Sequence, residues 1–311
     1  MFPPGTSHIF ETLTAVFLTL LVGFVLQRRK LPIPEFWPGV EQITYYLLFP
    51  ALLFTSIISA EVEFESLRVL VIPFTGPFLV MGLILFLGRK HLGRDYSAFT
   101  SIFQGSIRFN TYIGFSIALS VFGLEGVSMA AMFIALVIPM LNVMSVAVLS
   151  GIRGSSSAVN VIRHLARNPL IIACVFALTC KGLSFGLPTA IFEFLSILGR
   201  ASLPLGLMAV GAALCFQQTS DDLLPLSFVS LNKLLMMPVL MFVSCQFFGV
   251  TGLARSIAIL FAALPGSPAA YVLARQMGGD HRLMANLFTV QILVSAVTLP
   301  LVLALEAVLP Q

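Results

Sequence analysis

The stretch Leu264-Pro265-Gly266-Ser267-Pro268 interrupts a run, 256–277, that is otherwise apolar enough to cross a bilayer. Each proline removes a backbone donor and clashes with the turn before it, at a cost of about 3 kcal/mol in a helix interior. In hydrocarbon no water can satisfy the carbonyls freed in this way. Such a break belongs against other protein or a wet cavity, and half-helices at membrane depth are how many secondary carriers build their substrate sites. A simple proline kink, common in membrane helices, is the plainer alternative.

The composition around this stretch agrees. Of 311 residues, 58% are hydrophobic and 10% charged, and the mean hydropathy is +1.02. A soluble domain would carry about 25% charged residues. The chain reads as a polytopic, all-α membrane protein. At about 20 apolar residues per crossing, ten runs can be marked: 8–26, 40–59, 67–87, 98–121, 128–149, 169–183, 191–216, 224–248, 253–277 and 283–309. The loops are brief apart from 150–168, whose 151–157 segment is rich in Gly and Ser and reads as a flexible joint. The segment 1–7 lacks a positive n-region, so no cleaved signal is expected.

A net charge of +4 and a pI near 9.0 raise nucleic acid as a partner. The basic residues instead sit in short loops, where they report topology. Arg28, Arg29, Lys30, Arg89, Lys90, Arg94, Arg153, Arg163, Arg167, Arg275 and Arg282 fall in odd-numbered loops, against Arg68, Lys181 and Arg255 in or beside even-numbered ones. This imbalance places the odd loops in the cytoplasm and both termini outside it, in an inner or plasma membrane. The seventh loop, with Asp221 and Asp222, dissents mildly. The four cysteines, Cys174, Cys180, Cys215 and Cys245, lie inside apolar runs and read as small buried hydrophobes.

A faint repeat runs through the chain. Asn110 and Pro265 are 155 residues apart, Pro50 and Pro204 are 154 apart, and Gly123 and Gly278 are again 155 apart. Five helices per half is an odd number, so the halves would insert with opposite orientation, as in inverted-repeat carriers. The expected organisation is a first five-helix repeat over 1–151, a cytoplasmic connection over 152–168 and a second repeat over 169–311.

By that repeat, Arg108-Phe109-Asn110-Thr111-Tyr112-Ile113-Gly114 in the fourth run matches the Pro265 break. If the two breaks meet, half-helix N-termini turn their free N–H groups toward one pocket, a setting suited to a carboxylate. Arg108, Asn110, Thr111, Gly114, Pro265, Gly266, Ser267 and Pro268 are the candidate substrate contacts, with the amides after Pro265 as donors. Asn110 could equally make an ordinary helix–helix hydrogen bond, worth about 0.6 kcal/mol. Arg108, Arg200 and Lys233 are cations inside apolar runs, each costing about 2.5–3.5 kcal/mol at a helix centre. Any of them could serve an anion, snorkel, or pair with Glu41, Glu193 or a carbonyl. Lys233, Pro50, Pro204, Asn142, Asn286 and Gln291 are possible supports, the last three as sodium ligands.

Buried aspartates are missing from the runs, which disfavours a cation/proton antiporter and favours an anionic substrate. No His-x-x-x-His, paired intramembrane Asp or Gly-x-Ser-x-Gly is present, so an enzyme reading fails on the residues. No motif for a cofactor or metal is expected. Proton or sodium coupling is left open, and a membrane sensor remains the alternative of a different class.

The order of several motifs resembles the auxin efflux carrier family, whose bacterial members are described as membrane transport proteins or malonate/malate permeases. The matching pieces are Leu48-Phe49-Pro50-Ala51-Leu52-Leu53-Phe54, Asn110-Thr111-Tyr112-Ile113-Gly114 with Phe122-Gly123, Leu203-Pro204-Leu205-Gly206-Leu207-Met208-Ala209-Val210-Gly211-Ala212, Lys233 with Pro238, and Leu264-Pro265-Gly266-Ser267-Pro268 with Gly278-Gly279-Asp280. The resemblance implies a fold like sodium/proton antiporters and bile-acid symporters. Helices one, two, six and seven would form a scaffold, often dimeric. The other six would form a transport domain in which helices four and nine cross at their breaks. It further implies organic-anion substrates and elevator-type alternating access, with a sodium-coupled bile-acid-type symporter as runner-up. Asn110 matches the family's substrate-binding asparagine, and Pro265 its crossover proline. The family's proline shortly after the helix-four glycine is absent from 115–121. The first break is therefore expected to rest on Asn110 and Gly114. The long cytoplasmic loop of the plant carriers is also absent, so their regulation by phosphorylation does not carry over.

Overall fold

The computed structural model describes residues 6–31, 33, 36–59, 64–90, 95–151, 168–183, 186–215 and 222–308. Arg94, Arg153, Arg163, Arg167, Glu61, Glu63 and Asp221, and all of the connection over 152–168 except Asn168, lie outside the described residues. The described secondary structure is helical throughout. In chain order the helices are α1 (Thr6–Arg28), α2 (Phe36–Ser59), α3 (Phe64–Gly88), α4 (Tyr96–Ile107), α5 (Thr111–Ser150), α6 (Pro169–Gly182), α7 (Thr189–Ala212), α8 (Leu223–Phe247), α9 (Gly252–Ala263), α10 (Pro268–Met277) and α11 (His281–Val308). Among the described residues, seven stretches are long and apolar enough to cross a membrane, or eight if the bent pair α9 and α10 is one span. The protein is polytopic, and large apolar residues such as Val69, Leu87, Phe247 and Val297 face outward, as a lipid-facing surface requires.

The ten runs and these spans differ at two places. The fourth and fifth runs join, because the helix resumes at Thr111 and continues to Ser150 through a kink at Gly123, which has φ 65°. That backbone conformation strains any residue with a Cβ. The sixth run forms only the 14-residue α6.

Two helices carry a π turn directly before a proline. In α2 the turn is Thr44–Leu48, followed by Phe49-Pro50; in α8 it is Asn232–Met236, followed by Met237-Pro238. In each, the amide before the proline reaches back five residues, from Phe49 to the Thr44 carbonyl and from Met237 to that of Asn232. The extra residue turns side chains that a regular helix would point elsewhere.

The most extensive packing joins α1 to α7 and α2 to α6 and α7. Two reciprocal glycines allow it: a Cβ at Gly23 would run into the Met208 backbone, and one at Gly211 into the Leu20 backbone. Small residues at such crossings let helices approach closely. A second group centres on α9, which packs on α5, α8 and α11. Its core includes Phe109, Phe115, Phe133 and Phe261, whose rings meet at 5.1–6.2 Å between centroids.

Candidate functional site: two helix breaks around a recess

The first break covers Arg108 to Asn110, between α4 and α5. Arg108 (φ −81°, ψ 151°) and Asn110 (φ −84°, ψ 106°) are extended. Asn110 caps α5, its Oδ1 accepting from the amides of Tyr112 at 3.1 Å and Ile113 at 3.2 Å. An asparagine at this position is among the strongest caps available. Gly114 lies inside α5 and forms no part of the break, contrary to expectation. Its missing side chain matters for packing instead: a Cβ there would come within 2.7 Å of Leu264 and 2.8 Å of Phe261.

The second break runs from Leu264 to Ser267, and α9 and α10 meet there at a 50° bend. Leu264 (φ −63°, ψ 146°) and Ser267 (φ −101°, ψ 140°) are both extended, as residues before proline must be. Pro268 opens α10, where its missing N–H costs nothing.

The breaks touch. The Asn110 amide donates to the Pro265 carbonyl at 2.8 Å. Gln291 on α11 ties them a second time: its Oε1 accepts from the Gly266 amide at 2.8 Å, and its Nε2 donates to the Gly105 carbonyl at 3.0 Å. Lys233, fully buried and presented by the π turn of α8, donates to the Ala262 carbonyl at 2.6 Å. A cation at the last turn of α9 complements the negative end of that half-helix. Of the pairings open to Lys233 in the sequence, the structure selects the carbonyl.

A recess of about 60 Å³ lies against the breaks, lined by Arg108, Phe109, Thr111 and Tyr112 from one and Ser267, Pro268 and Ala269 from the other. Glu41, Tyr45, Asn142 and Asn168 complete its polar wall. It shares seven lining residues with a larger vestibule of about 1100 Å³, which is also bordered by Arg275, His281, Arg282 and Asn286. Tyr112 reaches this position because α7 has a glycine opposite its ring, Gly206, in the Leu203–Ala212 motif.

Arg108, Thr111, Ser267, Pro268 and Asn142 thus come together at the recess. Asn110, Pro265 and Gly266 stand one layer behind it, and Gly114 and Lys233 pack behind the breaks. Pro50 and Pro204 lie inside α2 and α7, away from the recess wall. Asn286 borders the vestibule and donates to Asp222 at 3.2 Å. Gln291 is committed to the two breaks, so Asn142, Asn286 and Gln291 do not form one cluster. Of the main-chain amides after Pro265, three are already engaged. The Gly266 amide is held by Gln291, that of Ala269 by the Ser267 hydroxyl at 3.3 Å, and that of Ala270 by the Ser267 carbonyl at 3.0 Å. Among the side-chain donors, Nη1 of Arg108 and Nδ2 of Asn110 are left buried without partners.

Glu41, Tyr45, Tyr112 and Asn168 were missed as site residues in the sequence. Asn168 carries a local signal, an asparagine cap ahead of Pro169, and its Oδ1 does accept from Leu170 and Ile171. That signal predicts a helix start and says nothing of the recess beside it.

An all-helical membrane protein with two broken helices joined back to back is built on the plan of a transporter. The comparisons agree. Residues 154–303 match the family model described as membrane transport protein. An uncharacterized transporter of Methanothermobacter thermautotrophicus is 25% identical over 302 residues, covering 94% of this chain and 96% of its own. Another from Methanocaldococcus jannaschii is 22% identical over 285 residues, covering 89% of this chain and 92% of its own. The resemblance to the auxin efflux carrier family read from the sequence is thereby borne out.

Proposed function

We propose that the protein is a secondary carrier, active or facilitative, of a small organic anion such as a carboxylate or auxin-like acid. The observation that carries this reading is the 2.8 Å hydrogen bond from the Asn110 amide to the Pro265 carbonyl. It joins two helix interruptions beside a recess that Arg108 enters with an unpartnered guanidinium nitrogen. Positive half-helix ends and a buried guanidinium together favour a carboxylate. Arg275 and Arg282 along the vestibule raise the potential for an anion approaching from that side.

The structure supports a ten-span reading. Helix α5 has 40 residues, about 60 Å at 1.5 Å per residue, which is twice the hydrocarbon thickness. Divided at Gly123, it gives the end of a fourth span, broken at Asn110, and a fifth. The α6 helix is then a short sixth and the bent α9–α10 pair a ninth, as an inverted repeat requires. The tight α1, α2, α6 and α7 group suits a scaffold, through which a homodimer could form, and the remaining helices a moving transport domain. Pro38, Asn168, Cys215 and His281, beside odd-numbered loops, wall the vestibule. With basic loops in the cytoplasm, it opens inward, one end state of an elevator cycle.

Uptake of labelled mono- and dicarboxylates into proteoliposomes tests this reading. Wild-type protein should accumulate or equilibrate a carboxylate, and Arg108→Gln should cut the rate at least about tenfold. Equal uptake by the variant removes Arg108 from the site. Binding without flux would favour the sensor, and dependence on sodium would favour the bile-acid-type symporter.

A further inference from the structure

The recess holds two formal charges of opposite sign that do not meet. Arg108 brings a guanidinium whose Nη1 is buried without a partner. Half-buried Glu41 brings a carboxylate that makes no hydrogen bond or ion pair among the described residues. Both line the same space of about 60 Å³. Charges withdrawn from water and left unpaired are costly, and two of opposite sign ordinarily close on each other. Here they are held apart on different elements, Glu41 on α2 and Arg108 on the extended segment after α4.

A ligand with only a carboxylate satisfies Arg108 and adds a negative charge near Glu41. A dicarboxylate sets its second carboxylate against Glu41 as well. A ligand with both a carboxylate and an ammonium satisfies both walls. Tyr45 lines the same wall, and an aromatic ring near an ammonium adds attraction. We propose that the recess selects an amino-carboxylate, a zwitterion with its carboxylate on Arg108 and its ammonium at Glu41 and Tyr45. This rests on the anion-carrier reading and goes further by making Glu41 the residue that sets substrate class.

Three compounds with the same carbon count separate the outcomes: β-alanine, propionate and malonate, titrated by calorimetry into the purified full chain in nanodiscs. β-Alanine should bind at least about tenfold more tightly than the other two. Glu41→Gln should bring β-alanine down to the level of propionate, and Arg108→Gln should weaken both. If propionate or malonate binds wild-type protein as well as β-alanine does and needs Arg108, the zwitterion proposal falls while the anion reading stands. If none of the three binds to folded, monodisperse protein, both fall. The wild-type ranking needs no variant to fold, so it decides by itself.

Discussion

The two helix interruptions do the same job by different means. At 264–267 the chain cannot continue its helix: two prolines delete donors and force Leu264 and Ser267 into extended geometry. At 108–110 nothing covalent forbids a helix. That break persists because Asn110 caps α5 and because the partner break offers the Pro265 carbonyl as an acceptor. One interruption is enforced locally, the other by its surroundings. The proline break thus acts as a template, and the asparagine break depends on it.

This asymmetry can be broken most severely by healing the template. A Pro265→Ala, Pro268→Ala double variant restores two amides and lets the helix run through. The Pro265 carbonyl is then drawn into the helix ladder and lost to Asn110. Uptake should fall to background, about a hundredfold or more, while Pro265→Ala alone should cost about tenfold; equal rates in a proteoliposome assay would show that the prolines are dispensable.

Next in size is Gln291→Leu. It leaves the Gly266 amide and the Gly105 carbonyl buried without partners, at about 1–3 kcal/mol each. A marked drop in the melting temperature of the detergent-solubilised protein is expected, together with slower uptake. An unchanged melting temperature would mean that the two breaks do not need this staple.

A smaller loss should follow Gly114→Ala. The new methyl meets Phe261 and Leu264 at 2.7–2.8 Å, and overpacking of this kind costs about 1–3 kcal/mol. Thermal unfolding reads it directly; a neutral result would mean that the α5–α9 crossing is looser than it looks.

The smallest stability effect belongs to Asn110→Ser. Serine caps about as well as asparagine, so the melting temperature should hold while the Nδ2 donor is lost. Uptake that falls with stability intact assigns Asn110 a role beyond its cap. Uptake that is retained confines it to capping.

Much of this was legible in the chain. Pro265 and Pro268 announce their break, because proline acts on its own backbone and its neighbour whatever surrounds it. The asparagine break was legible only through its spacing from Pro265; of the two residues expected to cause it, Asn110 does cap α5, while Gly114 looks like a breaker in sequence and is a packing residue in the fold. The candidate list also mixed layers. Asn110, Pro265 and Gly266 shape the site from behind, and Glu41 and Tyr45 line it without any local sign. Lys233 was visible as an intramembrane cation, yet its partner, a carbonyl at a helix end, is the product of α8 packing on α9.

The amino-acid sequence by itself determined that the chain is helical, membrane-spanning and interrupted near Pro265, because hydropathy, charge placement and proline geometry are local properties. Only the tertiary structure decided that the second interruption borrows its acceptor from the first. It also decided which main-chain amides at the breaks are engaged, as Gly266 is by Gln291, and that Glu41 and Arg108 face one recess unpaired. Those outcomes depend on which groups meet across 25 to 186 residues of separation, as in the Gly266–Gln291 and Gly105–Gln291 bonds. Packing sets such meetings, and no local pattern encodes them.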